Sequence, residues 1–128
     1  MTRAEMRIHL PIKTIPEANA REHWSSRARR RKKQRAYAMA LCKSAFRGNP
    51  PILPCAVTLI RIAPRALDEG DNISASMKAI RDGVADALGT DDGVNGGITW
   101  LYAQTRGKPR EYAVEVQINW QCEPRQKN

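Results

Sequence analysis

The chain has 128 residues, 41% of them hydrophobic and 27% charged, and its 22 Lys and Arg outnumber 13 Asp and Glu to give a net charge of +9. This length and apolar content suit a single folded domain (1–128) with a self-sufficient core. The positive balance selects a polyanionic partner, nucleic acid first and an anionic membrane surface second.

From the N-terminus, MTRAEMRIHLPIK lacks the apolar core of a signal peptide, and no apolar run reaches the roughly eighteen residues of a spanning helix, so a cytoplasmic protein with no membrane partner is expected. Met6 to Ile12 alternate with period two and predict a strand carrying an edge proline. After PEANAREHW, the Ala, Arg and Lys richness of residues 20–46 predicts a helix capped by Asn19. Trp24 and Ala28 share a face with Cys42 and Phe46, but Arg29, Arg30, Arg31, Lys32 and Lys33 surround the middle turn. Residues 19–36 therefore read as a protruding or mobile basic arm, with Tyr37 to Phe46 packed on the domain. His23 and Trp24 read as a staple at its base.

RGNPPILP is a loop, and Ala56 to Ala63 predict a strand with Val57, Leu59 and Ile60 inward. The next helix is capped by Asp71 or Asn72, carries Ile73, Met77, Ile80, Val84 and Leu88 on one face, and stops at Gly89. Gly83 within it implies close backbone packing. Ile98 to Thr105 and Glu111 to Trp120 predict two strands joined by RGKPR as an antiparallel hairpin, and residues 121–128 a frayed tail. Cys42, Cys55 and Cys122 have no metal-site spacing and read as reduced structural thiols. The element order defines an α+β domain, a mixed β-sheet with helices packed on one face.

Two charge patterns carry the functional reading. From Arg21 to Arg35 there are eight basic residues against one acid, and Asn19, Arg21, Arg27, Arg29, Arg30, Arg31, Lys32, Lys33 and Arg35 are the candidate DNA contacts. Conversely, seven of the thirteen acids fall between Asp68 and Asp92. Like charges about 5 Å apart repel by about 3 kcal/mol at an effective dielectric near 20, so such clustering implies a cation among them. Asp68, Glu69 and Asp71 lie where a strand passes into the helix, and Asp91 and Asp92 lie beyond its far end. A helix of some seventeen residues is about 25 Å long, so the two groups meet only if GTDDG folds back or begins an adjacent strand. Lys78 and Asp82 share the azimuth of Asp71. TDDGVNGG lacks the spaced oxygens and closing Glu of a calcium loop.

The order of strand, Asp-rich turn ending in DN, helix with KAIRDGVADALG, and DDG before a hairpin resembles the RusA family of Holliday junction resolvases of phages and prophages, from about Ile8 to Trp120. IPEANAREHW and the basic segment behind it resemble a phage subgroup. The resemblance implies a RusA-like, homodimeric domain that cuts branched DNA, a four-way junction, with Mg²⁺ or Mn²⁺ held by aspartates. It implies Asp71 and Asp92 as metal ligands with Asp91 adjacent, and Lys78 as the essential lysine. The family's Asp-x-Asp-Asn is DEGDN here, leaving Asp68, three residues before Asp71, and Glu69, two before, as alternatives for the remaining ligand. The family's lysine falls at Ala75, with Lys78 one helical turn further. The competing class is a branched-DNA-binding accessory protein that does not cut.

Overall fold

The computed structural model describes residues 2–15, 23–67 and 73–122. In chain order they form strand β1 (Thr2–Leu10), helix α1 (Trp24–Phe46), β2 (Cys55–Ala63), a short helix α2 (Ile73–Ser76), α3 (Lys78–Leu88), a 3₁₀ turn (Val94–Gly96), β3 (Ile98–Arg106) and β4 (Ala113–Cys122). The protein is an α+β domain around one four-stranded mixed sheet of order β1-β4-β2-β3.

The sheet corrects the expected hairpin. β3 does not pair with β4; it lies parallel to β2, from Cys55 opposite Ile98 to Ala63 opposite Arg106. β4 instead inserts antiparallel between β1 and β2. The crossover through α2 and α3 makes a βαβ unit, and the packing of that unit overrides the short RGKPR link. That link steps over the end of β2: Gly107 donates to Ala63 O at 2.8 Å, and a Cβ on Gly107 would lie 3.0 Å from Ile62 Cγ2. β2 takes a central position because alternate residues Cys55, Val57, Leu59, Arg61 and Ala63 are all buried.

One sheet face carries Ile8, Leu10, Val57, Leu59, Val114, Val116 and Ile118 into the core, where Ala38, Cys42 and Phe46 of α1 and Ile80, Val84 and Leu88 of α3 cover it. The other face is polar on β1 and β4, where Glu5 accepts from Arg7 and Gln117. Ile60, expected inward, is half-buried on this second face, because the strand period of two allows only one of Leu59 and Ile60 to enter the core. β1 starts earlier than expected and ends just before Pro11. β4 runs two residues past the expected end, so Gln121 and Cys122 pair with Arg3 and Thr2.

α1 is a single helix of 23 residues with His23, not Asn19, as its cap; His23 Nδ1 accepts from Ser25 N at 3.3 Å. Asn19 lies outside the described residues. The buried residues of α1 are Gln34, Ala38, Cys42 and Phe46, so its C-terminal half packs on the domain, and none of its first ten residues is fully buried. The expected staple at its base is absent: Trp24 is 75% exposed. The second predicted helix is divided at Met77, whose N–H reaches only to Ser74 O, 3.2 Å away. Ser76 Oγ donates to Ile73 O, the local competition with helical hydrogen bonding that short hydroxyl side chains favour. The apolar face nevertheless survives, with Met77, Ile80 and Val84 fully buried. Gly89 closes α3 in the left-handed region at φ 79°. Gly83 sits at the crossing with α1, where a Cβ would come 2.3 Å from Arg35 O.

Candidate functional site

The loop after α3 folds back. Thr90 N donates to Ala85 O at 3.0 Å, Thr90 Oγ1 to Gly96 O at 2.9 Å, and Gly93 N to Asp91 Oδ1 at 2.9 Å. Gly96 allows this closure, since any Cβ there would stand 2.2 Å from Asp91 O. Asp92 is thereby returned some three turns along α3 and sits against Lys78 and Arg81.

Arg81 is the hub of this arrangement. Its Nη2 donates to Asp92 O at 2.9 Å and its Nη1 to Tyr102 OH at 2.7 Å, and its guanidinium lies 4.8 Å from the Trp100 ring centre. Nε stands 3.2 Å from Asp92 Oδ2, within ion-pair range although not aligned as a hydrogen bond. Lys78 Nζ donates to Asp92 Oδ2 and, at 3.0 Å, to Asp82 Oδ1. The hydrogen bond from Lys78 holds the Asp92 carboxyl below its ordinary pKa, and the same bond raises that of Lys78.

Leu67, the last described residue before Asp68, and Asp92 are linked to neighbouring places on one strand. Gln104 grips the residue before Asp68, accepting from Leu67 N at 2.9 Å and donating to Leu67 O at 3.1 Å. Tyr102, which Arg81 links to Asp92, is two residues away on the same face of β3, a separation of about 7 Å. Arg61, buried on β2 opposite Gln104, secures the approach by donating to Thr14 Oγ1 at 3.0 Å and Arg65 O at 2.8 Å. Burial lowers the Arg61 pKa, and among the described residues no carboxylate pairs with it.

A cleft of about 220 Å³ opens here, lined by Arg35, Lys78, Asp82, Asp86, Asp91 and Asp92. Arg35, expected to contact DNA, forms a two-point ion pair with Asp86 at 2.7 and 3.0 Å. That bond raises the Arg35 pKa and lowers that of Asp86. Asp91 is occupied in capping its own turn. Arg29, Arg31, Lys32 and Lys33 are exposed on α1, with Arg27 and Arg30 half-buried beside them. Asn19, Arg21, Asp68, Glu69 and Asp71 lie outside the described residues. A larger concavity of about 630 Å³ is lined by Ile52, Leu53, Cys55 and Trp120 with Arg3, and among the described residues no carboxylate lines it.

Among the described residues no group of three or more His, Cys, Asp or Glu side chains could hold a metal ion. Of the expected ligands, the described residues bring Asp92 and Asp91 to the cleft, hard oxygen donors of the kind Mg²⁺ takes. Charge and spacing in the sequence mark Asp91, Asp92 and Lys78. Arg81, Arg61 and Gln104 escape such a reading because their roles arise from contacts between elements; only the placement of Arg81 one turn after Lys78 hints at a shared face.

No family model matches the sequence. An uncharacterized protein of Xylella fastidiosa strain Temecula1 is similar, 40% identical over 78 residues that make up 58% of this chain and 51% of that protein. The chain thus spans about half the length of the curated relative it matches. Among the described residues no helix is long and apolar enough to cross a membrane.

Proposed function

We propose that this protein is a metal-dependent, structure-selective DNA endonuclease of the RusA kind, which resolves four-way junctions in recombination and repair by paired phosphodiester cleavage. The observation that carries the reading is the use of β3 as a common anchor: Gln104 fixes Leu67, immediately before DEGDN, and Tyr102 with Arg81 fixes Asp92. Asp71, Asp92 and either Asp68 or Glu69 would hold the ion, with Asp91 at the rim. Bound there, Mg²⁺ or Mn²⁺ would supply an activated water and neutralise charge on the phosphoryl group.

The chain's own residues do the rest. Arg81 holds the Asp92 backbone and orients its carboxylate. Lys78, cationic at neutral pH and hydrogen-bonded to Asp92, is placed to share its donors between that carboxylate and a non-bridging phosphate oxygen, where negative charge grows during hydrolysis. The exposed basic residues of α1 grip the DNA backbone; six to ten neutralised phosphates would make affinity fall about 10³- to 10⁵-fold between 50 and 200 mM salt. A homodimer with two-fold symmetry would present two such sites to opposing strands of a junction.

A second reading, a DNA-branch-binding accessory protein that does not cut, is favoured by one feature: Lys78 and Arg81 already neutralise Asp92 without a metal. A nicking assay separates the two. A synthetic four-way junction and a linear duplex are incubated in Mg²⁺ or EDTA with wild type and Asp71→Asn. Metal-dependent nicking of the junction by wild type, with Asp71→Asn binding but not cutting, supports the nuclease. Tight junction binding by both proteins without cleavage assigns the accessory role.

A further inference from the structure

We propose that Trp24 is a base-stacking platform that receives an unpaired nucleobase at the branch of the DNA; this rests on the reading of DNA as the partner. Trp24 and Cys42 are eighteen residues apart, five full turns, and share one azimuth of α1. Cys42 is fully buried, whereas Trp24 is 75% exposed, the most exposed large hydrophobic residue among those described. The buried stripe ends at Gln34, so Trp24 stands about 15 Å beyond the last core contact of its helix. It faces the side on which Arg35 meets Asp86 at the acidic cleft, about 16 Å further along.

The platform stands at a capped helix start and its setting is cationic. Trp24 is the first residue of α1, fixed by the His23 cap, and its ring lies 5.6 Å from the His23 ring at an interplanar angle of 36°. α1 contains eight Lys and Arg and no Asp or Glu. A shallow hollow of about 350 Å³ on the opposite face of α1, lined by Ser26, Arg29, Arg30, Lys33 and Gln34, offers donors to a phosphate that passes round the helix from Trp24. An aromatic face with a basic track matches what an opened strand presents, a free base face and a phosphate chain. Bases inside a duplex are stacked on both sides, so the branch point is where one becomes available. A lipid surface fits less well, because the exposed half of α1 has no continuous apolar face to insert.

The test uses a four-way junction carrying 2-aminopurine at the branch, a linear duplex, and phosphatidylglycerol vesicles, with wild type, Trp24→Phe and Trp24→Ala, each confirmed folded by thermal melting. Wild type is expected to change the 2-aminopurine emission on binding, Trp24→Phe to retain most of that change, and Trp24→Ala to lose it. Trp24→Ala should bind the junction about 10-fold or more weakly, with duplex binding unaltered. Equal junction affinity and emission for wild type and Trp24→Ala would overturn the stacking role, as would equal losses on junction and duplex. So would a Trp24 dependence confined to vesicles. If wild type binds neither junction nor duplex, the DNA reading itself falls, an outcome distinct from the preceding ones.

Discussion

Replacing Arg81 with Gln is expected to release the loop that carries Asp92. Gln retains an apolar stem and a donor but cannot span Tyr102 OH and Asp92 O together, nor supply the charge 3.2 Å from Asp92 Oδ2. A hydrogen bond from a charged group contributes about 1.5 to 3 kcal/mol, and a cation over an aromatic ring about 0.5 to 1 kcal/mol. The Arg81 and Asp92 side chains are each 25% exposed, so water screens these interactions in part. With allowance for screening and the donor that Gln keeps, the loss is about 2 to 4 kcal/mol, or roughly 8 to 16 °C in Tm for a domain of this size. Arg81→Lys should recover less than half of that, because an ammonium keeps the charge but not the fork. Thermal melting by circular dichroism reads the global loss, and amide exchange across residues 89–97 reads the loop. A Tm within about 2 °C of wild type, with unchanged protection of that loop, would refute the role assigned to Arg81.

Three further outcomes follow from the packing and the ion pairs. Gly83→Ala should destabilise the fold by about 1 to 3 kcal/mol, because its Cβ would meet Arg35 O at 2.3 Å and Ala38 Cβ at 2.9 Å and push α1 away from α3; a urea titration checks this. Asp86 has its pKa held below the ordinary 3.8 by Arg35, so their pairing contributes stability above that value and loses it as pH falls through the folded pKa. Asp86→Asn should therefore flatten the fall in stability below about pH 4, seen in melts from pH 7 to pH 2.5. In thiol titration of the native protein Cys122 should react first and Cys42 only on unfolding, because Cys42 is fully buried and burial pushes its pKa up to about 12.

The sequence was most legible where one element decides its own form. The alternation of β2 and β4, the apolar face from Met77 to Leu88, the stop at Gly89 and the close approach at Gly83 all depend on local periodicity or backbone freedom. Pairing was less legible. Five residues of RGKPR are as compatible with a hairpin as with a step over the end of β2, and the choice was made by β2, which needed a partner on both edges. The candidate site had the same division. Clustered charge marked Asp91 and Asp92 together and the helical azimuth marked Lys78, but the return of Asp92 along α3 depends on Gly96 passing under Asp91 O, a contact with no periodic signature. Arg35 belongs to the basic run, and its ion pair with Asp86 on another helix has no mark in that run. Trp24 was misread in the opposite direction, since it lies on the core stripe of a helix that outruns its core.

The central claim is that the acidic turn after Leu67 and the carboxylate of Asp92 serve one metal ion. Paramagnetic broadening by Mn²⁺ in amide spectra of the ¹⁵N-labelled protein, with Asp92→Asn as control, addresses it most directly. Selective broadening at substoichiometric Mn²⁺ of amides near Leu67 and Ile73 together with those of Lys78 and Asp92, all weakened in the variant, is the result the account expects. Broadening confined to one of the two groups, or spread evenly over exposed carboxylates and unchanged in Asp92→Asn, would contradict it.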